Sequence, residues 1–300
     1  MRVLVVGSGG QLGFELMRAR WAPRIEVRGI DLPELDVGDE RAVEAAVASV
    51  DGGVVVNSSA YTAVDKAETE EALAFKVNQD GPRSLAQACR RHNAALIHVS
   101  TDYVFDGSKS GAYTELDPTA PIGVYGRSKE AGERGIRRTL ECHLILRTSW
   151  LYGIHGTNFV KTMLRLGRER DRLRVVDDQH GCPTAAQDLA SAIVTLVDRI
   201  AAGDKMSWGT YHFANRGRTT WCNFARVILE AASRYTGRKV HVDAITTADY
   251  PTPAKRPANS ELDTSRIEQV FGIRPAPWGE SLQRVIAELF RGVETGGTPS

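Results

Sequence analysis

Three glycines stand at intervals of three residues directly after the first apolar run of the chain. Gly7, Gly10 and Gly13 follow the run at residues 1–6, and the sequence after them predicts a helix that begins near Gln11. Glycine at such positions permits a tight turn and lets backbone N–H groups approach a phosphate at the helix N-terminus. The spacing therefore predicts a dinucleotide site, whose phosphate-binding residues are Gly7, Gly10, Gln11, Leu12 and Gly13.

Short apolar runs alternate with helical patterns through the first half of the chain. Strands that are apolar on both faces and alternate with helices form parallel sheets covered on both sides. The predicted fold class is therefore α/β, with a Rossmann-type doubly wound parallel sheet. The runs assigned to strands are residues 3–6, 25–30, 54–56, 95–99, 144–146 and 175–176.

The alternation loosens after about Trp150, and prolines concentrate in the last fifty residues. This change predicts a smaller C-terminal substrate domain. Residues 1–150 are assigned to the nucleotide-binding domain, and the chain is expected to return to that domain around residues 184–212. The substrate domain then comprises residues 151–183 and 213–300.

Composition excludes several classes of protein. The 300 residues carry a net charge of +1, which gives no extended basic field and argues against a nucleic-acid partner. No apolar stretch approaches the roughly 18 residues that span a membrane, and the opening run is too short for a signal peptide, so we expect no membrane association and a cytoplasmic location. The four cysteines include no C-x-x-C pair, which predicts neither a metal site nor a disulfide framework.

An acidic residue ends the second predicted strand. Asp31 lies about 20 residues beyond the glycines, where a carboxylate meets the adenosine ribose of a bound dinucleotide. A carboxylate there accepts hydrogen bonds from the ribose hydroxyls and repels a 2′-phosphate. The cofactor is therefore expected to be NADH or NADPH, with NADH favoured. Arg28 is the nearby cation that could tolerate the phosphate, although we expect it to point outward from the strand.

A tyrosine and a lysine four residues apart lie on one face of a predicted helix. The ammonium of Lys129 is expected to favour the phenolate form of Tyr125, which then exchanges a proton with a carbonyl oxygen while hydride reaches the carbon. Lys129 would also reach the nicotinamide ribose. Thr101 follows the strand at residues 95–99, and strand carboxyl ends are where an open parallel sheet places its site. Its hydroxyl can therefore hydrogen-bond the substrate carbonyl.

Longer segments carry a family resemblance. The chain closely resembles the dTDP-4-dehydrorhamnose reductases, which are extended short-chain dehydrogenases, and the G-x-x-G-x-x-G spacing is typical of that wider group. The principal matching segments are AYTAVDKAE at residues 60–68, VSTDYVFDG at 99–107 and RTSWLYG at 147–153. Further matches extend the resemblance over nearly the whole chain, including KTML at 161–164, VDDQ at 176–179, TTW at 219–221 and YPTP at 250–253.

The resemblance implies NAD(P)H-dependent reduction of the C4 ketone of dTDP-4-dehydro-L-rhamnose. It implies Thr101, Tyr125 and Lys129 as catalytic residues, with Tyr125 and Lys129 also in contact with the cofactor. It further implies a homodimer, and in some relatives a magnesium ion at a dimer contact, which this sequence does not decide. The remaining residues that it implies are Ser58 and Ala60 for the cofactor, and Asp102, Tyr103, Trp150, Asn158 and Arg256, together with Thr101 and Tyr125, for the substrate.

Three alternative functions stay open at this point. Ser58 and Ser59 stand where the family usually has alanines, and extra hydroxyls there could select another dTDP-4-ketosugar. A nucleotide-sugar epimerase or dehydratase would use the same fold. A regulatory NADP-binding subunit, like the β subunit of methionine adenosyltransferase, would bind the cofactor without needing turnover.

Overall fold

The structure is a computed structural model that describes residues 1–294; residues 295–300, which the predicted substrate domain includes, lie outside it. In chain order, the strands are β1 (Arg2–Val6), β2 (Glu26–Ile30), β3 (Val54–Asn57), β4 (Ala95–Thr101), β5 (His143–Thr148), β6 (Leu151–Tyr152), β7 (Arg172–Val176), β8 (His180–Gly181), β9 (Thr184–Ala185), β10 (Gly209–His212), β11 (Thr219–Thr220), β12 (His241–Ile245) and β13 (Asn259–Ser260). The helices are α1 (Gln11–Arg18), α2 (Glu40–Ala48), α3 (Val64–Ala67), α4 (Glu71–Phe75), α5 (Gly81–Arg91), α6 (Val124–Thr139), α7 (Phe159–Glu169), α8 (Ala186–Ala202), α9 (Trp221–Thr236), α10 (Ser265–Phe271) and α11 (Trp278–Glu294). A π-helical turn at Lys76–Asp80 joins α4 to α5.

Six parallel strands form the central sheet, in the order β10-β5-β4-β3-β1-β2. Helices α1 and α8 pack together on one face, while α2, α5 and α6 cover the other. Every residue of β3 and of β5 is buried, because helices cover the sheet on both sides. The predicted α/β fold with a doubly wound parallel sheet is confirmed.

One predicted strand was assigned to the wrong sheet. The apolar pair at residues 175–176 belongs to β7, which pairs with β12 in a separate two-stranded sheet. The sixth strand of the central sheet is β10, which lies parallel to β5. Its sequence, GTYH, is mainly polar and gives little sign of a buried strand, although its last two residues are buried.

Helices α7, α9 and α11 pack around a second core, together with the β7-β12 pair. Phe224 and Ile228 of α9 lie at its centre and are fully buried beside Val160 of α7 and Leu282 of α11. Strand β8 lies between β11 and β13, antiparallel to the first and parallel to the second. The chain reaches this region after β5 and returns to the central sheet through α8 and β10. The residue boundaries of the two domains stay a prediction.

The carboxyl ends of β1, β3, β4 and β5 meet at one edge of the central sheet because these strands are parallel. The glycine turn follows β1, and the first residues of α6 face the end of β4. The edge therefore brings together segments that lie more than 100 residues apart in the chain. Within residues 1–294, none of the helices is both long enough and apolar enough to cross a membrane.

Candidate active site

The turn between β1 and α1 accepts only glycine at two of its three spaced positions. Gly7 has φ of +82°, and a Cβ there would lie 2.6 Å from the backbone nitrogen of Ser59. A Cβ on Gly13 would overlap the carbonyl oxygen of Gly7. The missing side chains let α1 approach β1 and leave backbone N–H groups exposed at the helix N-terminus. These features fit the pyrophosphate of a dinucleotide.

A cleft of about 750 Å³ runs from this turn along the carboxyl edge of the sheet. Gly13, Asn158 and Arg256 lie outside its wall, because Gly13 packs against the turn and the other two bind protein groups. The predicted site residues that line the cleft are Gly7, Gly10, Gln11, Leu12, Asp31, Ser58, Ala60, Thr101, Asp102, Tyr103, Tyr125, Lys129 and Trp150. The cleft therefore joins the predicted cofactor residues to the predicted catalytic residues.

Two carboxylates lie at the adenosine end of the cleft. Asp31 accepts hydrogen bonds from the backbone nitrogens of Gly9, at 2.7 Å, and Leu32, at 2.8 Å, so it fastens the glycine turn to the end of β2. Asp36 also lines the cleft and pairs with Lys76 at 3.0 Å. Among the described residues of the cleft wall there is no arginine, and Lys129 is the only cation.

Helix α6 brings Tyr125 and Lys129 to the end of β4. The ammonium of Lys129 donates a hydrogen bond of 2.7 Å to the carbonyl oxygen of Val99. The hydroxyl of Thr101 donates to Asp102 at 2.9 Å and also contacts the phenol of Tyr125 by a hydrogen bond. The structure thus places the two hydroxyls and the ammonium together, as the sequence predicted.

The protonation of Tyr125 differs from the expectation. Desolvation raises the pKa of Tyr125 above its usual 10; the hydrogen bond to Thr101 opposes this rise, and the neighbouring Asp102 and Tyr103 add to it. Contrary to the expectation, Lys129 does not hold Tyr125 as phenolate in the resting site, where its ammonium is bound to the Val99 carbonyl. Burial also lowers the pKa of Lys129 to about 8. Tyr125 is therefore protonated at neutral pH, as a proton donor must be.

Asp102 lies beside Thr101 and is almost completely buried. Desolvation raises the pKa of its carboxyl to about 6, although the nearby Ser260 and the hydrogen bond from Thr101 oppose the rise. A carboxyl with a raised pKa in a cleft is typical of functional sites. Asp102 therefore changes protonation close to neutral pH, within hydrogen-bonding distance of the Thr101 hydroxyl.

The two serines that depart from the family pattern are occupied by protein contacts. The hydroxyl of Ser58 donates to the carbonyl oxygen of Val6 at 2.8 Å, and that of Ser59 donates to the side chain of Asn57 at 2.7 Å. Both hydroxyls brace the end of β3 against β1. The expectation that they select a different ketosugar gains no support from their positions.

Trp150 adopts a left-handed backbone conformation, with φ of +47°, which is costly for a bulky side chain. Its carbonyl accepts a hydrogen bond from the backbone of Thr184, and its indole stacks on that of Trp221 with ring centroids 3.6 Å apart. The strained turn places Trp150 at the wall of the cleft. Trp221 was not assigned to the site from the sequence, although it belongs to the TTW segment at residues 219–221, which carries part of the family resemblance.

Asn158 serves as the N-cap of α7 rather than as part of the cleft wall. Its side-chain oxygen accepts from the backbone nitrogen of Lys161 at 3.1 Å, and its amide donates to the Gln11 side chain at 3.0 Å. In the same loop, His155 hydrogen-bonds the carbonyl oxygen of Gly9 at 2.9 Å and stacks on Phe14. The loop that precedes α7 therefore lies on the glycine turn. The assignment of Asn158 to the substrate stays a prediction.

Arg256 is held by an ion pair. Its guanidinium donates to Asp65 at 2.8 Å and hydrogen-bonds Tyr103. Tyr103 in turn meets the ring of Tyr125 edge to face, with centroids 5.4 Å apart. Arg256 thus lies next to Tyr103, a residue of the cleft wall, without lining the cleft itself. Its role in binding diphosphate stays a prediction.

Residues 1–294 contain no group of three or more His, Cys, Asp or Glu side chains placed to hold a metal ion. The magnesium ion that the resemblance implies for some relatives therefore has no assigned ligands among these residues.

Comparison with known proteins identifies the family. The model of the RmlD substrate binding domain family matches residues 1–291. A dTDP-4-dehydrorhamnose reductase of Aggregatibacter actinomycetemcomitans is 46% identical over 289 residues, which cover 95% of this chain and 98% of the relative. The chain belongs to the dTDP-4-dehydrorhamnose reductase family. The family resemblance and the oxidoreductase class predicted from the sequence are confirmed.

Two crystal structures of the family have nearly the same fold. The dTDP-4-dehydrorhamnose reductase of Clostridium acetobutylicum gives a TM-score of 0.89 at 39% identity, with 96% of this chain and 99% of that chain covered. The enzyme of Bacillus anthracis, solved in complex with NADP, gives a TM-score of 0.89 at 36% identity with the same coverage. A nicotinamide dinucleotide is therefore a ligand known within this family.

Proposed function

We propose that this protein reduces the C4 ketone of dTDP-4-dehydro-L-rhamnose to the alcohol, giving dTDP-L-rhamnose. The observation that carries the proposal is a single cleft lined at one end by the glycine turn and at the other by Thr101, Tyr125 and Lys129. This arrangement suits the reduction of a ketone beside a bound dinucleotide. The family assignment supports the choice of sugar nucleotide.

A reduced nicotinamide dinucleotide supplies the hydride when it is bound. Tyr125 donates its phenolic proton to the ketone oxygen, so that C4 gains the hydride and the oxygen becomes a hydroxyl. The raised pKa of Tyr125 keeps that proton in place at neutral pH before reaction. Thr101 can orient the ketone oxygen by a hydrogen bond once its hydroxyl turns from Asp102.

Lys129 supports the tyrosine electrostatically. Proton transfer leaves a negative charge on the phenol, and the buried ammonium one helical turn away offsets part of the cost of that charge as it forms. The hydrogen bond from Lys129 to Val99 fixes the ammonium on the same strand that carries Thr101. The proton donor and the carbonyl-orienting group are thus held by one helix and one strand.

NADH is the cofactor that the cleft favours. Asp31 and Asp36 lie in the cleft wall, and neither is accompanied there by an arginine within the described chain. Arg28, the cation that could have tolerated a 2′-phosphate, is exposed on β2. Lys76 pairs with Asp36, so Asp31 is the carboxylate that repels a 2′-phosphate and accepts hydrogen bonds from ribose hydroxyls.

The substrate partner is a dTDP-4-ketosugar, and no nucleic-acid or membrane partner is proposed. The homodimer and the cytoplasmic location expected from the sequence stay predictions. Light scattering on the purified chain would test the first, and fractionation of cells that produce it would test the second.

The decisive experiment follows NADH absorbance with dTDP-4-dehydro-L-rhamnose generated enzymatically. The wild type is compared with Tyr125→Phe, and Tyr235→Phe on α9 serves as the control. Loss of the proton donor is expected to lower kcat by about 10²–10⁴-fold, while the control stays at the wild-type rate. Identification of dTDP-L-rhamnose as the product would complete the assignment.

Three other outcomes point to other functions. An epimerase keeps its dinucleotide bound, so it would convert sugar without net consumption of added NADH. Turnover of a different dTDP-4-ketosugar alone would replace the substrate. Binding of the dinucleotide without turnover of any ketosugar would favour the regulatory alternative.

A further inference from the structure

A third side chain lies on the face of α6 that carries Tyr125 and Lys129. Glu133 follows Lys129 by four residues, as Lys129 follows Tyr125, so the three form one row along the helix. The row faces the carboxyl end of β4: Tyr125 contacts Thr101, Lys129 binds the carbonyl of Val99, and Glu133 accepts from Ser100 at 2.5 Å. Each residue of the row thus contacts one of three consecutive strand residues.

The carboxylate of Glu133 has no exposure to solvent and is surrounded by donors. Besides Ser100, it accepts two hydrogen bonds from Arg147 of β5, at 2.9 and 2.7 Å, and one from Arg137 at 2.9 Å. Arg147 is itself only 3% exposed and lies over the ring of Phe105. Burial alone would raise the pKa of Glu133, but Arg147 and Ser100 outweigh it and hold the pKa at about 2.

We propose that Glu133 is a positioning residue of the active site, which fixes α6 against the end of β4 through Ser100 and places a permanent negative charge beneath the ammonium of Lys129. Its first effect is geometric. Ser100 immediately precedes Thr101. The hydrogen bond from Ser100 to Glu133 therefore fixes the position of Thr101, whose hydroxyl orients the ketone. Tyr125 lies two turns along the same helix and is positioned against Thr101 by the same contact.

The second effect concerns the charge of Lys129. Burial lowers the pKa of this lysine, and the negative charge of Glu133 opposes the loss of its proton. The groups that face the pair from neighbouring elements are Arg137 of α6, Arg147 of β5, His98 of β4 and His212 of β10. Burial lowers the pKa of both histidines, to about 3 for His212, so both are neutral at neutral pH. Glu133 is therefore the anion that acts on Lys129.

Fold stability alone gives a weaker account of this ion pair. Replacing a buried ion pair with apolar residues of similar volume is often neutral or stabilising, because two charges must be removed from water. Arg147 and Glu133 could thus be dispensable for the core between β4, β5 and α6. The positioning role explains why this ion pair lies beside Ser100, on the helix face that carries Tyr125 and Lys129.

The test compares Glu133→Gln with Glu130→Gln. Glu130 is a largely buried carboxylate of the same helix that pairs with Arg134 at 2.7 Å and lies 3.9 Å from Arg137, so it is the control for loss of a carboxylate that is not bound to Ser100. The first measurement is a ¹³C NMR titration of the lysine ε-carbons in the protein without ligands, with the Lys129 signal assigned from its absence in Lys129→Arg. Glu133→Gln should lower the titration midpoint of Lys129 by about one pH unit or more, while Glu130→Gln leaves it unchanged.

The kinetic half of the test rests on the proposed reductase function, whereas the titration does not. The high-pH limb of the kcat profile should shift to lower pH in Glu133→Gln by the same amount as the lysine midpoint. Glu133→Asp keeps the charge and should restore most of the wild-type profile. A merely structural role would lower kcat equally at all pH values and leave the Lys129 midpoint in place.

A folded Glu133→Gln protein with an unchanged lysine midpoint would overturn the proposal, whatever its activity. If that variant fails to fold, the double variant Glu133→Gln/Arg147→Gln is compared with Arg147→Gln in the same titration, so that the loss of the arginine charge is common to both proteins. Equal lysine midpoints in these two proteins would also overturn the proposal. A shifted midpoint in a protein without reductase activity would refute the proposed function and leave the role of Glu133 standing.

Discussion

The indole rings of Trp150 and Trp221 lie face to face, with centroids 3.6 Å apart and planes inclined by 9°. Only Trp150 lines the cleft, so Trp221 acts on the site by supporting its neighbour. Phe159 also packs against Trp221, with ring centroids 4.6 Å apart and planes inclined by 53°. The cleft wall at Trp150 is thus backed by aromatic rings from α7 and α9.

Trp221→Ala removes that support and should raise the KM for the ketosugar more than it lowers kcat. Stacked aromatic pairs contribute about 0.5–1.5 kcal/mol beyond their buried area, which corresponds to roughly a 2- to 12-fold rise in KM. Steady-state kinetics with saturating NADH would measure the change. Trp221→Phe keeps a ring behind Trp150 and should retain most of the affinity; equal KM values in all three proteins would contradict this role of the stack.

The sequence predicted the parts of the site that depend on local spacing. The glycine turn and the four-residue interval between Tyr125 and Lys129 each specify a geometry within one turn or one helix. Strand β10 escaped prediction because a short edge strand is defined by its pairing with β5, which its own residues scarcely indicate. For the same reason, residues 175–176 were placed in the wrong sheet.

Side-chain partners supplied by distant segments could not be predicted. Asn158 and Arg256 have residue types that suit a sugar diphosphate, but Gln11 and Asp65 occupy their polar groups in the folded chain. The protonation of Tyr125 depends on desolvation and on Asp102, which spacing alone does not reveal. Sequence therefore identified the chemical groups, whereas folding decided which of them face the cleft.

Asp31→Asn should weaken the discrimination against NADPH. The amide can still accept the hydrogen bond from Gly9, while the negative charge that repels a 2′-phosphate is removed. The ratio of kcat/KM for NADH to that for NADPH should fall by about tenfold, equivalent to 1.4 kcal/mol, and salt should reduce the effect. The ratio is measured for both cofactors at one ketosugar concentration.

The matched control for this variant is Glu26→Gln, which removes an exposed charge at the opposite end of β2. It should leave the cofactor ratio unchanged. A wild type that prefers NADPH would show that the carboxylates of Asp31 and Asp36 do not decide the cofactor, and the NADH proposal would then fail.

Asn158→Ala should destabilise the protein and weaken dinucleotide binding together. The substitution removes the N-cap of α7, which costs about 0.5–2 kcal/mol, and also breaks the contact with Gln11 on the glycine turn. Urea unfolding measures the first effect, and calorimetric titration with NADH measures the second. Thr220→Ala removes the cap of α9 instead, and it should lower stability without changing the affinity for NADH. Equal affinities in the two variants would mean that the loop before α7 does not support the turn.

Asp102→Asn should stabilise the fold at pH 8 but not at pH 4. Burial raises the pKa of Asp102 from 3.8 to about 6, so its folded form binds a proton more tightly than its unfolded form. The associated stability is fully present below pH 3.8 and is lost as the pH rises through 6, a difference of about 3 kcal/mol. Asparagine carries no charge and avoids this loss, while its side-chain oxygen can still accept from Thr101.

Urea unfolding of both proteins at pH 4 and pH 8 measures the effect. The opposite sign is expected for Asp106→Asn, because hydrogen bonds from Ser108 and Tyr113 lower the pKa of Asp106 in the fold. That variant should lose stability at pH 8 relative to the wild type and approach it as the pH falls. A stability difference for Asp102→Asn that does not change with pH would mean that the carboxyl has the same pKa in the folded and the unfolded protein, so that burial does not raise it. A lower kcat in the stabilised variant would show that the buried carboxyl of Asp102 lowers the stability of the fold but supports catalysis, through the Thr101 hydroxyl that it binds.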